Sequence, residues 1–187
     1  MQKILLSYIF TFFIACSSSF STQYFLVEMD DTQTDHLRAY GLAFFALENS
    51  LKVEWLLNFK GGSFLMPLSE TVRLQAVLYG VSAKVIDSSQ YDEIERIIND
   101  NNMHKVTLEK APKIAVYTPR SSDPWDDAVT LVMNYAKIPY SKLWNDEVLS
   151  GELFDYDWLH LHHEDFTGQY GKFYRTFRKA VSYTHLR

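Results

Sequence analysis

The residues best equipped for chemistry lie in one late stretch, Trp158-Leu-His-Leu-His-His-Glu-Asp-Phe-Thr-Gly-Gln-Tyr170. A run of alternating apolar side chains gives way there to His162, His163, Glu164 and Asp165. Imidazole titrates near neutral pH and can serve as a general base, and imidazole with carboxylate also suits zinc, iron or nickel. The pattern predicts a buried strand from Asp157 to His162 that runs out into a polar cluster, and α/β sheets place their chemistry at such strand ends. Alternation puts Trp158, His160 and His162 on one face and Leu159, Leu161 and His163 on the other. His160 is expected in the interior, hydrogen-bonded between layers. His162, His163 and Glu164 are the candidate catalytic residues, and Asp165 is a candidate ligand contact. Neighbouring ligands on an extended strand point apart, and no further cluster stands at metal spacing, so no metal and no cofactor is assigned. A packing role for most of these side chains competes with the functional one.

Thr167-Gly-Gln-Tyr-Gly171 follows directly. Glycines around polar residues suit a loop that approaches a ligand closely, which makes Thr167, Gly168 and Gln169 candidate contacts. An ordinary turn before the aromatic run Lys172 to Phe177 fits equally well. A second polar group, Asp123, Trp125, Asp126 and Asp127, stands where a predicted strand hands over to a helix, at the same edge as His162. These four are candidate ligand-binding residues, although capping and the helix dipole account for the acids as well. Gly61-Gly62 lacks the spacing and the Lys-Ser/Thr of a phosphate loop and reads as a tight turn. Asp30, Asp31 and His36 are polar enough for a site, or for capping.

The elements that must position these groups alternate. Tyr24 to Met29 reads as a strand, and Thr34 caps a helix from Asp35 to Ser50, with Leu37, Tyr40, Gly41, Phe44 and Phe45 on one stripe. Val53 to Leu57 is a strand. Ser69 caps a helix through Tyr79, stopped by Gly80. Ala83 to Ile86 and Lys105 to Leu108 are strands around a helix from Tyr91 to Asn99. After Ala111-Pro112, Ile114 to Tyr117 is a strand, and Asp123-Pro124 starts a helix from Trp125 to Lys137. Tyr140 to Trp144 is a strand and Asp146 to Gly151 a helical turn. This alternation predicts an α/β fold with a mostly parallel sheet flanked by helices, in one unit over 22–110 and a second over 111–180.

With 187 residues, 47% of them hydrophobic, the chain can bury a sizeable core. A net charge of −5 and a pI near 5.6 argue against nucleic acid as a partner, leaving a small-molecule substrate or ligand. Oligomeric state cannot be read. Lys3 and the apolar run Ile4 to Ala15, with Ser19-Phe20-Ser21 as a small-x-small cleavage pattern, predict a signal peptide over 1–21 and export to the periplasm or envelope. An uncleaved anchor is one alternative. Another is lipid on Cys16, the only cysteine, through Phe13-Ile-Ala-Cys16. Membrane contact is expected only through these. Val181 to Leu186 back-translates to a transposase-adapter sequence, so residues 181–187 are expected to be artefact and the second unit incomplete at its C-terminus.

Several stretches together resemble a family of exported bacterial proteins commonly labelled asparagine synthetase B. They are Leu37-Arg-Ala-Tyr-Gly41, Trp55-Leu-Leu-Asn58 with Gly61-Gly-Ser-Phe64, and Leu108-Glu-Lys-Ala-Pro-Lys-Ile-Ala-Val-Tyr-Thr-Pro119. Pro124-Trp-Asp-Asp-Ala-Val129 and Tyr156 to Tyr174 complete the set, which spans roughly residues 24 to 178. The resemblance implies that the second unit is the opening part of a class I glutamine-amidotransferase-like domain with a flavodoxin-type sheet. In such domains the nucleophile sits on a strand-to-helix elbow, which the strand count puts beyond Ala180. A true asparagine synthetase of that name needs a cysteine directly after Met1 and a Ser-Gly-Gly-x-Asp-Ser type loop for ATP. Here Gln2 follows Met1 and the loop is missing, which weighs against ATP-dependent asparagine synthesis. The competing expectation is a non-catalytic periplasmic or envelope ligand-binding protein.

Overall fold

Phe25 and Val27 turn to one side of the first strand and Leu26 to the other, and the first half of the chain is built around that alternation. The computed structural model describes residues 22 to 161. The leader expected over 1–21, and the candidates His162, His163, Glu164, Asp165, Thr167, Gly168 and Gln169, lie outside the described residues.

Five strands form the first sheet: β1 (Tyr24–Val27), β2 (Val53–Leu56), β3 (Ser63–Pro67), β4 (Lys84–Ile86) and β5 (Lys105–Leu108). Their order is β4-β1-β3-β2-β5, and every pairing is antiparallel. This corrects the parallel sheet predicted for the first unit. The cause is β3, to which the sequence reading assigned no element. Gly61 and Gly62, at φ +79° and +94°, close a tight turn that folds β3 back on β2. The expectation of a turn at the glycine pair holds.

Helices α1 (His36–Glu48) and α2 (Glu70–Tyr79) cover one face of this sheet, and α3 (Ser88–Asp100) covers the other. The side chain of Asp35 caps α1 by accepting from the Arg38 amide at 2.9 Å. The expected cap, Thr34, instead donates its hydroxyl to the Gly80 carbonyl at 2.6 Å. Asp87 and Gln90 form a capping box on α3, so that helix starts earlier than its apolar spacing suggests. Helix α1 is buried on most of its circumference, at Ala39, Gly41, Leu42, Ala43, Phe44, Ala46 and Leu47. Two members of the predicted stripe, Leu37 and Tyr40, are exposed.

The second sheet holds β6 (Ile114–Tyr117), β7 (Ser141–Leu143) and β8 (Trp158–Leu161) in the order β7-β6-β8, all parallel. Helix α4 (Ala128–Ala136) connects β6 to β7, and α5 (Asn145–Leu149) lies on the way to β8. Ile114 and Val116 on β6 and Met133 on α4 pack around Phe44 of α1. Helix α1 thus serves both sheets. Among the described residues no helix is long and apolar enough to cross a membrane.

Candidate functional site

The chain enters β6, crosses through α4 to β7 on one side, and then returns to β8 on the other side of β6. Connections that leave one strand in opposite directions open a crevice at the carboxyl ends of the strands where they diverge. Here that point lies between β6 and β8. The loop 118–127 rises from β6 at this edge, next to the described part of β8.

The loop is pinned at several points. Thr118 is buried, donates its amide to the Leu143 carbonyl at 3.0 Å, and its hydroxyl meets that of Ser122 at 2.6 Å. Lys142 donates to the carbonyls of Arg120 and Ser122, and Arg120 pairs with the buried carboxylate of Glu147. The other Glu147 oxygen accepts the Trp144 amide at 2.9 Å. Stacked Tyr117 and Trp144, 4.9 Å between centroids, close the β7 side.

The predicted helix from Trp125 to Lys137 divides in two. Pro124–Asp126 is a single 3-10 turn, Asp127 sits in extended backbone at φ −140°, and only then does α4 begin. Asp127, not Asp123, is the cap of α4. Its Oδ1 accepts the Val129 amide at 2.8 Å and the Thr130 amide at 3.1 Å. Asp126 Oδ2 accepts the Asp123 amide at 3.0 Å, which holds the turn. Asp123 and Asp126 are exposed, and Trp125 is 69% exposed on the rim.

The same Oδ1 of Asp127 lies 3.1 Å from Nε2 of His160, with side chains only 12% and 18% exposed. Burial works to raise the Asp127 pKa. The Thr130 and Val129 amides and the His160 ring outweigh it and hold the carboxyl below the usual carboxylate range. His160 therefore stands between layers as the alternation predicts, and its partner is the acid that caps the neighbouring helix. Asp127 is brought into the interior, while Asp123, Trp125 and Asp126 stay outside. No sequence signal pairs residues so far apart, although strand alternation alone puts His160 on the correct face.

Asp30 and His36 have structural work. Asp30 Oδ1 accepts from the amide and hydroxyl of Thr32 at 3.0 and 2.5 Å, and Nε2 of His36 lies 3.1 Å from the carbonyls of Met29 and Asp30. Asp31 is exposed. Among the described residues no group of three His, Cys, Asp or Glu could hold a metal ion.

A hollow of about 690 Å³ lies at the opposite edge, where the parallel strands start, between Phe44, Leu47, Lys113, Tyr140 and Tyr156. It is the seam between α1 and the second sheet, and Glu48, Lys110 and Asp155 also line it. An apolar hollow of about 470 Å³ is walled by Leu37, Tyr40, Val129, Val132, Met133 and Trp158. Comparison with known protein families, curated proteins and solved structures finds no match to this chain.

Proposed function

We propose that this protein is an exported, amidotransferase-like member of the family labelled asparagine synthetase B. In this reading it takes a small amide or carbohydrate-like ligand at the carboxyl edge between β6 and β8. The observation that carries it is the parallel order β7-β6-β8, because a sheet wound in both directions from its middle strand leaves its ligand crevice at that edge. The half-buried pair Asp127 and His160 gives the edge titratable groups suited to acid–base chemistry. The apolar run Ile4 to Ala15 supports export.

The test is a titration of the ¹⁵N-labelled protein with L-glutamine, L-asparagine and N-acetylglucosamine in turn. One of them is expected to shift amide resonances over 118–127 and 158–161 together. Shifts confined to the seam around Phe44 and Tyr140, or no saturable shift with any of the three, overturn the reading.

A non-catalytic ligand-binding protein is the second reading, and one observation favours it. Asp127 Oδ1 already accepts from two helix amides as well as from His160, so the pair ties α4 to β8 whether or not any reaction takes place. Binding of a probe with no turnover supports this version.

A further inference from the structure

We infer that His160 is the proton acceptor of this edge, acting through Nδ1, and that Asp127 is its positioning residue. The inference rests on the reading that a ligand sits between the carboxyl ends of β6 and β8. It moves the working imidazole from His162 or His163 to His160.

The argument begins with donors and acceptors. An ionised carboxylate can only accept, and Asp127 Oδ1 lies 3.1 Å from Nε2 of His160, so Nε2 carries the hydrogen. A neutral imidazole has one N–H, which leaves the lone pair on Nδ1. Among the described residues Nδ1 has no hydrogen-bond partner, while the side chain keeps 18% of its surface in solvent. Among the described residues the ring is thus held in one tautomer with its basic nitrogen uncommitted.

Asp127 cannot easily swing away. The amides of Val129 and Thr130 hold the same oxygen, and the Thr130 hydroxyl donates to the carbonyls of Pro124 and Asp127 at 2.8 and 3.0 Å. A partner fixed by the backbone of a helix end positions a base better than a free side chain does.

The step this arrangement performs is a proton transfer. An O–H or N–H bond of the ligand, or of a water beside it, breaks; the proton goes to Nδ1 and the electron pair stays on the ligand atom. The imidazolium so formed is balanced by the Asp127 carboxylate, and the proton returns to the leaving group or product. Only a ligand with a hydroxyl, an amide N–H or an attacking water can use it, which matches the amide and carbohydrate classes above.

The experiment has a readout independent of turnover. In the ¹⁵N-labelled full chain, the ring nitrogens of neutral His160 are expected to show the Nε2–H tautomer. Asp127→Asn keeps the oxygen that accepts from the Val129 and Thr130 amides and from Nε2–H but removes the charge, and is expected to weaken that tautomer preference while α4 stays folded. Diethyl pyrocarbonate is expected to modify His160 at Nδ1. His160→Gln keeps an N–H donor toward Asp127 and loses the base. Ammonia release from L-glutamine is expected to fall by about 100-fold or more in this variant, with glutamine binding unchanged. An Nδ1–H tautomer, a ring inert to the reagent, or full turnover in His160→Gln each overturns the inference. If glutamine neither binds nor releases ammonia, the ligand reading fails, and the tautomer result still decides the role of His160.

Discussion

Gly41 on α1 faces the carbonyl oxygen of Ala136 at the end of α4 so closely that a β-carbon on Gly41 would stand 1.8 Å from that oxygen. The first half of the chain therefore meets the second backbone to backbone. Tyr135 beside it donates its hydroxyl to Asp35 at 2.5 Å, and the Arg38 guanidinium lies 4.7 Å from the Tyr135 ring. Residues 22–110 and 111–161 share this contact and Phe44.

Gly41→Ala is the direct test. Inside a helix this exchange ordinarily gains about 0.5–1 kcal/mol, because alanine orders at lower entropic cost. Here the added methyl meets a backbone oxygen that cannot rotate away, and overpacking costs about 1–3 kcal/mol. A net loss of stability is expected by urea unfolding, with amide shifts concentrated in α1 and α4. A gain in stability would show that the contact is not closed.

Glu28 offers a test of asymmetry. Its carboxylate is buried at the end of β1, with Lys60 on one oxygen and Lys84 at 2.5 Å on the other. Burial raises its pKa, but the two ammonium groups prevail and hold it below the ordinary value. Both lysines have exposed stems, so in Glu28→Gln they return to water and the cost is expected to be small. Lys60→Met with Lys84→Met leaves a buried charge unpaired and is expected to cost about 1–3 kcal/mol. Equal losses in the two variants by chemical denaturation would refute this picture.

Lys137 ends α4 in the left-handed region, at φ +62° and ψ +32°, a conformation that costs a non-glycine residue roughly 1–2 kcal/mol. Its side chain is exposed. Lys137→Gly is therefore expected to stabilise the protein, by about 1 kcal/mol, without touching the β6–β8 edge. A lower midpoint in thermal unfolding would contradict it.

These relationships differ in how far the sequence announces them. The helices are legible because stops and apolar spacing are local signals, as with Gly80 at the end of α2, whereas the Asp87–Gln90 box that starts α3 goes unread. The second sheet is legible too, in Ile114 to Tyr117 and Trp158 to Leu161, but β8 is not the buried strand that its apolar run predicts, because Trp158 and Leu161 are exposed. Missing β3 misdirected the first sheet. Phe64-Leu-Met66, hemmed in by Gly62 and Pro67, is too short to show a period of two, and strand direction is fixed only by partners distant in sequence. At the candidate site, two aspartates four residues apart compete to cap one helix, and local rules favoured the one followed by proline. Packing decided for Asp127, because only that carboxylate also reaches His160.

That choice has a consequence in acid. Asp127 has a folded-state pKa below its unfolded value, so its contribution to stability is present above the unfolded value of about 3.9 and is lost as the pH falls through the folded value. Asp127→Asn keeps an acceptor for the helix amides but cannot titrate. Between pH 7 and pH 5 it is expected to be less stable than the wild type, by about 1 kcal/mol, through loss of the ionised acceptor shared by the α4 amides and the His160 ring. The gap is expected to start closing below about pH 4 and to close fully as the pH falls through the folded value, where the wild-type carboxyl also becomes neutral. Glu28 and Asp35, likewise held below their ordinary values, lose their contributions in acid in both proteins and so cancel from the difference. Urea midpoints of the two proteins from pH 7 to pH 3 measure this directly. A gap that is constant with pH, or one that widens in acid, would mean that Asp127 is not held as an ionised partner of α4 and β8.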